Sequence, residues 1–215
     1  SLFECPNMSA KLIHCHPSDN ELGKIYAPDL SLQASPNAMA TALASIKVAD
    51  DASRLDWLRA AKSAYDASYH VKAQPGDLDM GEVLAHLRDV IPENAIVTNG
   101  AGNFAIWPNK FLKFGRKGRL LAPQSGAMGY GVPAAIAAKL HDPSRFVLCF
   151  AGDGDFQMNG NELGSAMQAG LPLIILIVNN GTYGTIRMHQ ERHYPERVSG
   201  TELVNPDFVT LAKAY

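Results

Sequence analysis

The sequence predicts an α/β protein: a doubly wound parallel sheet preceded by the tail of a second α/β domain. Three observations carry that prediction. After residue 75, short continuous apolar runs alternate with helical patterns, as expected when helices cover both faces of a parallel sheet. Each run ends in a loop rich in Gly and Asn, and the polar break Gln74-Pro-Gly-Asp separates this region from an earlier stretch with its own strands and helices. With 215 residues, 47% apolar and 19% charged, the chain is long enough to bury one sizeable core and part of a second, which excludes a disordered polymer.

The first elements are short. Ala10 to Cys15 reads as a strand, with Ser18 or Asp19 placed to cap a helix behind it. A second extended piece, Leu30 to Gln33, leads to Ser35-Pro36, a cap-then-proline start for a helix to about Ile46. Asp51 to Tyr69 follows as an amphipathic helix with Leu55, Leu58, Ala61 and Tyr65 on one face. Residues 1–74 are thus expected to be a domain tail and exit helix, and residues 75–215 a second domain. In the latter the patterns predict a helix over Met80 to Val90, a strand over Ala95 to Thr98 and a helix over Pro133 to Leu140. Then come a strand over Phe146 to Ala151, a helix over Asn161 to Gln168, a strand over Leu171 to Val178, and a last helix opened by Asn205-Pro206. Ser1-Leu-Phe-Glu-Cys-Pro has neither an initiator Met nor a signal-peptide pattern, so truncation at both ends is expected.

Charge and cysteine usage exclude several classes. Nineteen basic and twenty-one acidic side chains leave a net charge of −2, so no global field recruits nucleic acid or an anionic membrane. The run Leu171 to Val178 is far short of the roughly 20 residues of a spanning helix. Cys5, Cys15 and Cys149 form neither a disulfide framework nor a CxxC pair, which fits a reducing, cytoplasmic setting.

Doubly wound sheets bind ligands beyond the carboxyl ends of their strands, so the loops after Thr98, Ala151 and Val178 are the places to look. Gly100-Ala-Gly102-Asn-Phe-Ala105 satisfies GxGxxG/A, yet no Asp or Glu occurs between Ala95 and His141 to hold a ribose. The nicotinamide reading therefore gives way to a phosphate loop. Gly152-Asp153-Gly154 ends one strand and Asn179-Asn180 the next. With Gly181-Thr182 they offer a carboxylate, an amide oxygen and a main-chain carbonyl, hard donors that suit Mg²⁺ beside substrate phosphates. Gly152 and Gly154 permit close backbone approach, and a helix beginning near Asn159 is expected to point its N-terminus at the same region.

Gly152-Asp-Gly154, followed at this spacing by Asn179-Asn180, resembles the thiamin-diphosphate signature. Asn180-Gly-Thr-Tyr-Gly184 is similar to the form found in the acetolactate synthase and benzoylformate decarboxylase family, and the resemblance runs from about Ala10 to Tyr215. It implies the thiamin-diphosphate-binding fold, with thiamin diphosphate and Mg²⁺ as cofactors and with Asp153, Asn180 and the main-chain oxygen of Thr182 as metal ligands. Ser125-Gly-Ala-Met-Gly-Tyr-Gly-Val-Pro133 resembles the family's aminopyrimidine segment, in which the carbonyl of Gly126 accepts from the 4′-amino group and Met128 props the cofactor into a bend. That bend places the proton-accepting nitrogen beside the reacting carbon, which is proximity catalysis. Gly100, Gly102 and Asn103 are then expected at the diphosphate, and Gly152, Gly154, Asp155 and Tyr183 complete the implied cofactor-binding set.

The family's activating glutamate belongs to a pyrimidine-binding domain of a neighbouring subunit, so the resemblance assigns no catalytic residue here. This stretch alone is expected to be inactive, and a homodimer or homotetramer is implied. Glu82 and Glu162 are read as helix-surface acids. Lys11-Leu-Ile-His14 and Glu21-Leu-Gly23 resemble the last strand and following helix of the family's central domain; FAD, which would bind mostly elsewhere in that domain, is left open. The implied activity is decarboxylation of a 2-oxo acid followed by joining to a second one. Arg187-Met-His-Gln190 stands where the synthases usually carry Gln-Trp-Gln, so a non-ligating decarboxylase or other lyase stays open, as does a cofactor-binding remnant without catalysis. His14 and His16 lack a third ligand, His189 and His193 lack the HExxH order, and the basic cluster from Lys110 to Arg119 reads as a solvated loop.

Overall fold

The structure, a computed structural model, describes Cys5, residues 9–47 and residues 52–215. The chain divides into two compact units, Ser1–Ser63 and Ala64–Tyr215. In the first, β1 (Ile13–His16) and β2 (Leu30–Gln33) pair in parallel, with Ile13 beside Leu30 and His16 beside Gln33. The helix expected behind His16 is a single 3-10 turn, Asp19–Glu21: Ser18 makes no side-chain cap bond, and Gly23 turns the chain at φ +75°. Helix α1 (Pro36–Ala44) is capped as predicted, Ser35 Oγ accepting from the Ala38 N–H at 3.2 Å. Helix α2 (Ala52–Ala67) contains the division between the units; Asp51, its expected start, lies outside the described residues. Leu55 and Leu58, expected on one face of it, are more than half exposed.

The second unit holds α3 (Met80–Val90), β3 (Ile96–Asn99), a 3-10 turn running into α4 (Ile106–Phe111), β4 (Arg119–Leu121) and α5 (Gly131–His141). It continues through β5 (Val147–Gly152), α6 (Asp153–Asn159), a 3-10 turn and α7 (Leu163–Gln168), then β6 (Ile174–Val178), α8 (Gly184–His193) and α9 (Phe208–Ala214). All four strands are parallel, in the order β4-β3-β5-β6. The winding direction reverses between β3 and β5, which makes their carboxyl ends the topological switch point.

Every residue of β3 and β5 is buried, and their side chains alternate between two cores. Ile96, Val147, Cys149 and Ala151 pack with Val132 and Ala135 of α5, Phe156 of α6 and Ala166 of α7. Val97, Leu148 and Phe150 face the other way, against Leu84 of α3, Phe111 of α4 and Phe104. On the α5 face, Thr98 Oγ1 donates to the Gly131 carbonyl at 2.8 Å and fastens the start of α5 to the end of β3. Among the described residues no helix is long and apolar enough to cross a membrane.

Two helix starts differ from the sequence expectation. The helix after Gly-Asp-Gly begins at Asp153 rather than near Asn159, so Asp153 and Asp155 occupy the first turn of α6, where the unpaired N–H groups favour acidic side chains. The last helix begins at Phe208 rather than at Asn205-Pro206. Its cap is Asp207, whose Oδ1 accepts from Val209 N–H at 2.9 Å and Thr210 N–H at 3.1 Å. β4, α4 and α8 are elements the pattern did not reveal. Leu84 is fully buried and anchors α3 to the sheet. Leu84→Ala should lower the unfolding free energy by about 2–5 kcal/mol, read as a drop in the urea midpoint at unchanged slope.

Candidate functional site

A cavity of about 390 Å³ opens at the carboxyl ends of the strands, in the size range of small-molecule sites. All four strand ends contribute to its wall: Ala101 to Phe104 after β3, Gly126 and Met128 after β4, Gly152 to Asp155 after β5, and Asn180 with Thr182 to Ile186 after β6. Of the residues singled out from the sequence, Gly102, Asn103, Gly126, Met128, Gly152, Asp153, Gly154, Asp155, Asn180, Thr182 and Tyr183 line it. Gly100 does not. Phe104, Trp107, Val178 and Ile186 form an apolar wall that the sequence analysis missed. A signal for Phe104 exists in retrospect: its ring lies so close to the α-carbons of Gly102 and Gly152 that a Cβ at either would come within 2.9 Å.

Asp155 is buried, and its Oδ1 accepts from Gly129 N–H at 2.7 Å and Ala101 N–H at 3.2 Å. One carboxylate of α6 thereby latches the loops after β3 and β4. Burial pushes its pKa up, while the N–H groups of Gly129, Ala101 and Gly152 pull in the opposite direction. The placement also explains Gly100: a Cβ there would sit 1.8 Å from Asp155 Oδ1. Gly154 is required by a similar approach, since a Cβ would lie 2.4 Å from the Tyr183 ring.

Asp153, also buried, directs Oδ2 at Gly181 N–H (2.8 Å) and Asn205 Nδ2 (2.7 Å); its Oδ1 has no hydrogen-bond partner among the described residues. Asn180 Oδ1 accepts from Thr182 N–H at 3.2 Å, which folds the side chain back over its own turn. The Thr182 carbonyl accepts from Gly184 N–H at 2.9 Å across Tyr183, and its second lone pair remains. Thr182 is pinned by its Oγ1 to the Thr201 carbonyl at 2.8 Å, and Tyr183 N–H donates to the same oxygen at 2.8 Å. One carboxylate and two neutral oxygens on a single cavity wall fit a small hard cation that keeps its remaining positions for water and phosphate. Among the described residues there is no cluster of three or more His, Cys, Asp or Glu.

The other candidates resolve into structural roles. His14 Nδ1 accepts from Gly23 N–H, and His16 Nδ1 from Ser18 N–H. His189 and His193 stack along α8, outside the cavity wall. Glu162 accepts from Ser165 Oγ within its own turn, and Glu82 is exposed on α3. Arg119, from the basic cluster, opens β4.

Residues 100–215 match the family model described as "Thiamine pyrophosphate enzyme, C-terminal TPP binding domain". The chain belongs to the thiamine pyrophosphate enzymes. Every residue predicted for the site lies inside the matched span. The chain is similar to the acetolactate synthase large subunit of Parasynechococcus marenigrum, at 33% identity over 96% of this chain and 34% of that protein. It is also similar to the acetolactate synthase isozyme 2 large subunit of Escherichia coli, at 32% over 96% of this chain and 37% of that protein. To the large subunit of Corynebacterium glutamicum it is 34% identical over 95% of this chain and 34% of that protein. The chain thus spans about a third of the length of these relatives.

Two outcomes follow for a thiamine pyrophosphate site built on the Asp155 latch. Gly100→Ala should cost about 1–3 kcal/mol of stability by overpacking and weaken thiamin diphosphate binding, although Gly100 does not line the cavity. A raised Asp155 pKa means the folded state holds a proton that the unfolded state has released, so this group's contribution to stability falls as pH rises from about the ordinary 3.8 through the raised value. Urea titrations across that window should show the wild type losing stability relative to Asp155→Asn as pH increases.

Proposed function

We propose that these residues are the diphosphate- and Mg²⁺-binding part of a thiamin-diphosphate enzyme that acts on 2-oxo acids, with acetolactate-synthase-like decarboxylation and carbon–carbon ligation. The observation that carries the reading is one wall of the cavity, where Asp153, Asn180 and the Thr182 carbonyl present three hard oxygens beside the glycine-rich loop after β3. Similarity to acetolactate synthase large subunits over nearly the whole chain supports the reaction class. It also supports assigning residues 1–74 to the end of a central domain and 75–215 to the cofactor domain.

Thiamin diphosphate, when bound, supplies the electron sink for breaking the bond to the carboxylate. The chain's own residues do the holding. Asp153, Asn180 and Thr182 would hold Mg²⁺ against the diphosphate, with main-chain N–H groups around Gly102 and Asn103 facing the same anion. Met128 would prop the cofactor, and the carbonyl of Gly126, which sits at a left-handed turn with φ +68°, would accept from its amino group. Gly100 and Asp155 act one step back, by setting the loops. The activating glutamate comes from a partner subunit's pyrimidine-binding domain, and the working enzyme is a homodimer or homotetramer in the cytoplasm.

A second reading rests on α8. Ile186 lines the cavity, but Gln190 is committed to Ser199, donating to its carbonyl and accepting from its N–H, each at 3.0 Å. With no indole in Arg187-Met-His-Gln190, a smaller contribution to acceptor binding favours a decarboxylase that releases its product unligated. Product analysis of the full-length protein with pyruvate, thiamin diphosphate and Mg²⁺ separates these: acetolactate is expected, acetaldehyde alone would establish the decarboxylase, and binding without turnover would establish a remnant. Asp153→Ala should abolish Mg²⁺-dependent cofactor retention in equilibrium dialysis; retention at the wild-type level would overturn the metal assignment.

A further inference from the structure

Asn205 lies between α8 and α9, where the sequence pattern assigned it only to a helix start. Its amide is fully used. Nδ2 donates to Asp153 Oδ2 at 2.7 Å and to Asn179 Oδ1 at 2.8 Å, while Oδ1 accepts from Gln157 Nε2 at 2.8 Å. The Asp153 carboxylate, which only accepts, settles which end of the Asn205 amide is nitrogen, because the flipped orientation would set two acceptors against each other.

The consequence falls on Asp153. Its Oδ2 receives two donors, Asn205 Nδ2 and Gly181 N–H, and Oδ1 none among the described residues. A carboxylate held by two donors on one oxygen cannot rotate without losing both, so Oδ1 is kept in one orientation. The bond to Asn179 reaches the end of β6 as well, directly before Asn180. One amide therefore ties the metal-facing ends of β5 and β6. The segment itself has separate anchors: Tyr183 N–H donates to the Thr201 carbonyl and Leu203 N–H to the Gly181 carbonyl, at 2.8 and 2.9 Å.

We infer that Asn205 is a positioning residue for the metal site: it saturates one oxygen of Asp153 so that the other faces the cation, and it sets the spacing between Asp153 and Asn180. This rests on the Mg²⁺–diphosphate reading above. Hydrogen-bond partners of metal ligands typically contribute about 10- to 100-fold in metal affinity.

The test uses the full-length protein and measures thiamin diphosphate binding by calorimetry at a series of Mg²⁺ concentrations. Asn205→Leu keeps the volume and removes the donors. The Mg²⁺ concentration for half-maximal binding should rise by about 10- to 100-fold, with wild-type binding recovered at saturating Mg²⁺. A weakened metal ligand is rescued by mass action; a distorted cavity is not. An unshifted Mg²⁺ requirement, or a loss that persists at saturating Mg²⁺, would overturn the role of Asn205 while Asp153→Ala still abolished binding. If Asp153→Ala bound normally, the metal reading itself would fall, and the inference with it. Should Asn205→Leu fail to fold, Asn205→Ala carries the same comparison.

Discussion

A buried carboxylate at the start of α6 holds the site together. Strand pairing ends before the loops that wall the cavity, so nothing in the ladder itself fixes where those loops stand. Asp155 supplies that constraint by accepting from the main-chain N–H groups of Ala101 and Gly129. It reaches from β5 to the loops after β3 and β4, across the point where the winding reverses. The cost is a carboxyl group kept out of water, visible in its raised pKa. Several other choices follow from it: Gly100 has no room for a side chain, and Gly129, at φ +85°, turns its N–H onto the same oxygen.

The second strand-end acid has the complementary arrangement. Asp155 spends Oδ1 on backbone donors, whereas Asp153 spends Oδ2 and keeps Oδ1. Two aspartates two positions apart in one helical turn thus do different things, one tying the loops after β3 and β4 and the other bound to Gly181 and Asn205 through a single oxygen. The packing beneath them is apolar and tight. Phe104 fills the space between Gly102 and Gly152, so glycines that read as phosphate-loop features also serve to seat an aromatic ring.

Legibility followed apolar content. β3 and β5 are central and β6 is at the sheet edge, and the apolar runs rich in Val, Ile, Leu and Phe that contain them stand out without any tertiary information. β4 is three residues long, begins with Arg119 and follows a basic loop, so its strand character comes from pairing with β3 rather than from pattern. α8 carries polar and charged residues around its circumference, and none of its residues is buried. Its start is set instead by the Tyr183 turn against Thr201. Asn205-Pro206 looked like a helix start because Asn and Pro suit one; Asp207 stands two residues later and caps the helix, and the Asn205 amide is drawn to Asp153.

The amino-acid sequence by itself determined the α/β class and the strand ends that wall the cavity, and it singled out Asp153, Asn180 and Thr182 there, because strand ends and hard donors are properties of residue type and spacing. The roles of Gly100, Asp155 and Asn205 were decided only by tertiary structure. Each depends on an approach between atoms separated by tens of residues: Gly100 to Asp155, Asp155 to Gly129, Asn205 to Asp153. Local periodicity records which face an element buries. It does not record which polar atom meets which across a switch point, since that distance is set by how the helices pack onto the sheet.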